Sequence, residues 1–111
     1  MKLAVVGSRK WAMPHIITKT LDDVYPDEIV TGGAEGADKF AEAWALLHHV
    51  PCKVFKPDWN KYGKKAGALR NREIVDYCDF LVAFWDGRSR GTKISIEMAG
   101  KANKLLRVYQ E

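Results

Sequence analysis

Apolar positions recur along the chain with two different periods, one typical of buried strands and one typical of amphipathic helices. Short apolar runs predict strands over residues 3–6, 28–31, 53–55, 80–84 and 105–108. Segments with helical spacing predict helices over residues 14–24, 36–48, 66–77 and 92–102. In the second of these helices, Ala37, Phe40, Ala41 and Trp44 form one apolar stripe. The chain therefore reads as strands and helices in strict alternation.

This alternation predicts an α/β protein with a three-layer, Rossmann-like fold. Right-handed crossovers between parallel strands would place helices on both faces of a five-stranded, mainly parallel sheet. We assume the common strand order 3-2-1-4-5. In this order the numbering of neighbouring strands changes its sense between the first and fourth strands, while the strands themselves stay parallel. Ligands of such sheets bind beyond the carboxyl ends of the strands near that reversal, so the loops that follow the strands are the places to search for a site.

The length of 111 residues predicts a single domain, residues 1–111, because it is close to the size of one ordinary domain. Hydrophobic residues make up 47% of the chain and charged residues 29%, which is a globular composition. No apolar run approaches the roughly 20 residues that cross a bilayer. Residues 1–10 read as a strand and a turn rather than as a signal peptide. We therefore expect a cytoplasmic protein with no membrane partner.

Cys52 and Cys78 are predicted to be two buried free thiols. They lack the C-x-x-C spacing of zinc sites and lie in predicted apolar surroundings. Neither a metal site nor a cofactor is predicted. The net charge of +4 is compatible with a nucleic-acid partner, but the basic residues form no continuous tract. Charge alone leaves the partner undecided.

The loop TGGAEGAD, residues 31–38, leads directly from a predicted strand into a predicted helix. Unpaired amide groups at such a junction suit an anion, and Gly32 and Gly33 would let the backbone approach a ligand closely. Gly36 permits a tight helix start. The loop lacks the G-x-G-x-x-G spacing of dinucleotide enzymes. It therefore predicts an anion site of another kind.

The loop WDGRSRGT, residues 85–92, has the same design at the next strand-to-helix junction. Its arginines suit a phosphate, and we favour Arg90 for that role. The long loop after the third strand offers Trp59, whose flat ring could stack on a base, together with Arg70. We predict that Arg9, Arg70 and Arg90 converge on one anion.

Four motifs, GSR, TGGAEGAD, DWNKYGKKAGALRN and AFWDGRSRGT, closely resemble those of the SLOG superfamily of Rossmann-like proteins. The match in order is specific to its small YspA/YpsA-related branch, which includes the YAcAr-like proteins, and spans nearly the whole chain. The resemblance implies one pocket that binds a nucleotide or a nucleotide-derived, ADP-ribose-like ligand. Carried over by position, it implies ligand-binding roles for Gly7, Ser8, Arg9, Gly32, Gly33, Gly36, Asp38, Asp58, Trp59, Gly67, Arg70, Asn71, Gly87, Ser89, Gly91 and Thr92.

The same superfamily includes phosphoribohydrolases, which use a Glu three residues after the Thr of G-G-x-G-T-x-x-E. Here Ser95 occupies that position. Glu97 lies about 200° further round the predicted helix and should face elsewhere. Asp38 and Asp86 are further candidate carboxylates, although a helix-dipole role and a turn role are their ordinary explanations.

Three functions remain open, in order of preference. The first is a module that binds or senses a phosphate-bearing nucleotide derivative. The second is a nucleoside-phosphate N-glycosidase that acts through Asp38, Asp86 or Glu97. The third is a single-stranded nucleic-acid binder similar to the superfamily's DNA-processing protein A. Self-association into a homo-oligomer is compatible with each of them.

Overall fold

A five-stranded parallel sheet forms the centre of the computed structural model, which describes all residues from 1 to 111. The strands are β1 Lys2–Gly7, β2 Glu28–Thr31, β3 Cys52–Val54, β4 Phe80–Trp85 and β5 Leu105–Gln110. Their order in the sheet is β3-β2-β1-β4-β5, and every neighbouring pair is parallel. The predicted α/β, Rossmann-like fold and its 3-2-1-4-5 order are confirmed.

Helices cover both faces of the sheet. They are α1 Pro14–Val24, α2 Ala37–Leu47, α3 Trp59–Tyr62, α4 Ala66–Tyr77 and α5 Arg90–Lys101. A turn of 3-10 helix, Gly63–Lys65, joins α3 to α4. None of these helices has the length and apolar character that crossing a bilayer requires.

Alternate residues of the central strand β1 belong to two separate cores. Leu3 and Val5 pack with residues of α1 and α2, such as Ile17. Ala4 and Val6 pack on the opposite face with residues of α4 and α5. This division follows from the two-residue period of a strand, and it explains why the apolar runs read as continuous.

The predicted element boundaries were wrong by one or two residues at several ends. The helix predicted over 36–48 begins after Gly36, whose φ of 82° lies outside the helical region. The helix predicted over 92–102 begins at Arg90, because Asp86 accepts bonds from two amides and turns the chain into a helix earlier. The third strand is shifted back by one residue from 53–55 to Cys52–Val54.

The loop predicted after β3 contains the short helix α3, which the sequence interpretation missed. Asp58 begins this helix, and its Oδ1 accepts a hydrogen bond from Lys61 N at 3.1 Å. Asp is among the preferred residues at a helix start, so the signal was present in the sequence.

The prediction of two buried thiols was wrong for Cys52. Cys78 is buried, but Cys52 is exposed. The reason is the position of Cys52 in β3, a three-residue strand at the edge of the sheet.

Candidate functional site

A cleft of about 250 Å³ lies at the carboxyl ends of β1, β2 and β4, and the strand order reverses between β1 and β4. Its lining is mostly polar, and only Val6, Ala34 and Ile74 are hydrophobic. The other residues that line it are Gly7, Arg9, Gly32, Asp38, Arg70, Asn71, Ser89, Gly91, Thr92 and Ser95. The cleft therefore collects residues from all four motifs at the edge of the sheet where ligands of this fold bind.

The start of α5 presents free amide groups to this cleft. The first helical hydrogen bond is that from Lys93 N to Ser89 O, at 3.2 Å. The amide groups of Arg90, Gly91 and Thr92 have no acceptor within the protein. A helix start with free N–H groups favours a negatively charged ligand, so this is the most suitable position for an anion in the cleft.

Two hydroxyl groups stand beside these amides. Ser89 Oγ and Thr92 Oγ1 lie 3.1 Å apart, and neither side chain caps the helix. One O–H bond is sufficient for the contact between them, so the second hydroxyl proton remains available to a ligand. Thr92 is buried, which fixes its position.

Asp38 accepts hydrogen bonds from the loop 31–38, which was predicted to offer its amides to a ligand anion. Its Oδ2 accepts hydrogen bonds from Gly32 N at 3.0 Å and Ala34 N at 3.3 Å. Gly33 N donates to Thr31 Oγ1 at 3.3 Å. The amides of Gly32, Gly33 and Ala34 are therefore already paired within the protein, and a role of this loop in holding a ligand anion stays a prediction.

Burial raises the pKa of Asp38 from 3.8 to about 6, against the opposing effect of the bonds from Ala34 and Gly32 and of the charge on Arg70. Asp38 is also the one carboxylate among the residues that line the cleft. Its second oxygen, Oδ1, receives no hydrogen bond from the protein. The cleft thus contains a carboxyl group that changes its charge near neutral pH.

Arg70 reaches across from α4 and lies against the backbone of Gly32. Its Nη1 donates to Gly32 O at 2.8 Å, and its Nε donates to Asn71 Oδ1 at 2.9 Å. A Cβ on residue 32 would displace this guanidinium. Gly32 therefore leaves room for Arg70 to pack on its backbone, and Arg70 keeps further N–H donors free because a guanidinium has five.

Several residues to which the sequence assigned ligand contacts lie outside the cleft. Those that do not line it are Ser8, Gly33, Gly36, Asp58, Trp59, Gly67, Gly87 and Arg90. Arg9 and Arg70 both line the cleft, but Arg90 is exposed elsewhere on the first turn of α5. Of the three arginines predicted to converge on one anion, the structure therefore places two, Arg9 and Arg70, at the cleft.

The residues outside the cleft support the loops that form it. Ser8 Oγ accepts a hydrogen bond from Asp86 N at 2.9 Å, which ties the loop after β1 to the loop after β4. A side chain on Gly36 would collide with the carbonyl oxygens of Ser8 and Arg9. Gly36 thus allows α2 to start against the first loop.

Two of the three candidate catalytic carboxylates also lie outside the cleft. Asp86 Oδ1 accepts hydrogen bonds from Ser89 N and Arg88 N, both at 2.8 Å, and these bonds hold the pKa of Asp86 below its ordinary value. Glu97 is exposed on α5 and does not line the cleft, whereas Ser95 does. Ser95 is a lining residue that the sequence interpretation did not include, although its spacing of three from Thr92 on one helix face was a usable signal.

The fold and the cleft are those of a Rossmann-like α/β protein with a site at the switch point of its sheet. A model of the YspA, cpYpsA-related SLOG family (YAcAr) matches residues 1–62, more than half of the chain. The chain is also similar to the Gene 61 protein of Mycobacterium phage D29, with 37% identity over 112 residues, covering 91% of this chain and 90% of that protein. The chain therefore belongs to the YspA, cpYpsA-related SLOG family.

A solved structure of DNA processing protein A from Helicobacter pylori has a similar fold. The TM-score is 0.74 and the sequence identity is 22% over 100% of this chain. The chain spans 66% of the length of that protein, whose structure was described for its single-stranded DNA binding mode. At this identity the similarity establishes the fold alone.

Proposed function

We propose that this protein binds a phosphate-bearing nucleotide or a nucleotide-derived, ADP-ribose-like ligand in the cleft. The observation that carries the proposal is the pair of free amides of Gly91 and Thr92 at the start of α5, in a cleft also lined by Arg9 and Arg70. Backbone amides and guanidinium groups together are a common means of binding phosphate. Family membership and the fold shared with DNA processing protein A support a nucleotide- or nucleic-acid-binding module in general.

The size of the cleft restricts how much of the ligand it can hold. Its volume of about 250 Å³ lies below the range of about 300–1,000 Å³ that encloses most of a larger organic ligand. The cleft would therefore take one phosphate with the adjoining ribose, and the rest of an ADP-ribose molecule would lie along the edge of the sheet. Isothermal titration calorimetry with ADP-ribose tests this proposal, and ribose 5-phosphate should compete for the same site.

Replacement of Thr92 by Val should weaken binding of ADP-ribose by about 1 kcal/mol, or about fivefold, because the shape is kept and one hydroxyl donor is lost. Calorimetry on the folded variant measures the change. Thr18→Val is the matched control, since Thr18 lies exposed on α1 and its hydroxyl donates to Pro14 O. Equal affinities of the two variants for ADP-ribose would show that the Thr92 hydroxyl does not contact the ligand.

A second candidate function is N-glycoside hydrolysis, in which water replaces the base on a ribose phosphate. Asp38 favours it, because a cleft carboxyl with a pKa of about 6 can exchange a proton near neutral pH. Asp86 and Glu97 lack the position for this role. Chromatographic detection of free base from nucleoside monophosphates tests the hydrolysis, and Asp38→Asn should abolish any turnover that is found.

A further inference from the structure

Residues 56–65, which we call the Trp59 segment, expose two large aromatic rings. Trp59 is 56% exposed and Tyr62 is 44% exposed. They lie three positions apart on the single turn of α3, which places them on the same side of it. Neither ring lines the cleft or belongs to a hydrophobic core. Their exposure therefore has no explanation in the fold or in the proposed nucleotide site.

The same segment is strongly basic. It contains Lys56, Lys61, Lys64 and Lys65, and its one acidic residue, Asp58, is engaged at the start of α3. All four lysines are exposed, and none of them forms a salt bridge. Lys61 Nζ lies 5.1 Å from the centre of the Tyr62 ring, so a cation and a ring are presented together.

Positive charge continues along this edge of the sheet beyond the segment. The loop after β1 adds Arg9 and Lys10, and the loop after β4 adds Arg88. None of the three forms a salt bridge, and Asp86, the acidic residue in these two loops, is bonded to backbone amides. These loops therefore add exposed cations at the same edge of the sheet, of which Arg9 also lines the cleft, and Glu35 in the loop after β2 is an exposed acidic residue at this edge.

We propose that the Trp59 segment binds single-stranded nucleic acid, with bases stacked on Trp59 and Tyr62 and phosphates held by the lysines. Exposed aromatic rings between cations are the usual means of binding unpaired bases, since every base has a flat face and each linkage carries a charge. A duplex keeps its base faces inside the stack, whereas an unpaired strand presents a flat base at every nucleotide. The proposal goes beyond the nucleotide site, because neither aromatic ring lines the cleft.

Fluorescence anisotropy with a labelled oligothymidylate of about 20 nucleotides tests the proposal. We expect binding to the single strand that exceeds binding to a duplex of the same length, and whose logarithm falls linearly with the logarithm of salt concentration. Equal affinity for the duplex would overturn the stacking mode. Binding to vesicles of anionic lipid with none to the oligonucleotide would also overturn the proposal, since lysines and exposed rings suit such a surface too.

Substitutions distinguish the contribution of the two aromatic rings to binding from that of the lysine charges. Trp59→Ala with Tyr62→Ala should weaken oligonucleotide binding at least about tenfold, and both rings are exposed enough for the fold to persist. Lys64→Gln should make the slope of log affinity against log salt concentration shallower by about 0.7. Lys101→Gln, at the C-terminal end of α5 and outside the Trp59 segment, should leave this slope unchanged. Oligonucleotide affinity unchanged by loss of both rings would overturn the proposal.

The same variants distinguish this surface from the cleft. The double aromatic variant should retain wild-type affinity for ADP-ribose, and a Gly91→Val variant should retain affinity for the oligonucleotide. If the aromatic variant loses ADP-ribose binding and oligonucleotide binding equally, the two ligands share one site and the separate surface is refuted. If ADP-ribose fails to bind any variant, the proposed function fails while the oligonucleotide test remains valid.

Discussion

A Gly91→Val protein is expected to fold normally and to lose its affinity for ADP-ribose. Gly91 lines the cleft at the second residue of α5, and a Cβ built there meets no atom within 4 Å. Its φ is not in the left-handed region, so a valine is accepted by the backbone. The new side chain would stand between the free amides and the ligand. Loss of two charge-assisted hydrogen bonds should reduce the affinity at least about 100-fold.

Gly100→Val is the matched control for this experiment. Gly100 lies in the same helix, is exposed, and likewise has no atom within 4 Å of a built Cβ, but it does not line the cleft. Both variants receive the same change in helix propensity, which is a few tenths of a kcal/mol. Calorimetry and circular dichroism should show two folded proteins, of which only the Gly100 variant binds. A folded Gly91→Val protein with undiminished affinity would show that residues 85–92 are merely a turn.

The free energy of unfolding should fall as pH rises from about 4 to about 7, by about 2 kcal/mol more in the wild-type protein than in Asp38→Asn. The cause is the pKa of Asp38, which burial raises from 3.8 to about 6 in the folded protein. Between these values the folded chain binds more protons than the unfolded chain, so raising the pH favours unfolding. Above about pH 6, the Asp38 carboxyl is ionised in the folded protein, which then contains a buried charge.

Urea denaturation of both proteins at several pH values measures this difference. The remaining carboxyl groups are common to both chains, so their contributions cancel in the comparison. The asparagine amide keeps an oxygen that can accept a bond from Gly32 N or Ala34 N. Parallel stability curves for the two proteins would mean that Asp38 is not held as a buried carboxyl group, and would also weaken its candidacy as a proton donor in the cleft.

The fold could be predicted from the sequence because local and global signals agree. Leu3 to Val6 are buried on both faces of the sheet, so they form the continuous apolar run typical of a parallel strand. Ile17 and Leu21 lie four positions apart, as expected for the buried face of α1. The errors in helix starts fall at Gly36 and Arg90, where contacts to neighbouring loops decide where a helix begins.

The candidate site was less predictable, since the sequence does not show which polar groups satisfy one another. The loop 31–38 has the glycine pattern of an anion site. However, the Asp38 carboxylate, six residues after Gly32, accepts hydrogen bonds from the amides of Gly32 and Ala34. Arg90 and Arg70 look equivalent as loop cations. Only the packing of Arg70 on Gly32, and the exposure of Arg90, separate them.

Trp59 illustrates the same limit for an aromatic residue. Its neighbours in sequence suggested a ring that closes over a base in the pocket. In the structure its ring lies near Gly67 at the start of α4, 3.5 Å from where a Cβ on that residue would stand, and it does not line the cleft. The short helix α3 decides this placement, and the capping role of Asp58 was the sequence signal for it.

The central claim is that the start of α5 holds the phosphate of a nucleotide-derived ligand, and a crystal structure of the complex with ADP-ribose tests it most directly. The account predicts a phosphate with oxygens about 3 Å from the amide nitrogens of Gly91 and Thr92, and with Arg9 and Arg70 as the nearest cations. Phosphate density at any other position on the protein, or a crystal without bound ligand at saturating concentration, would contradict it.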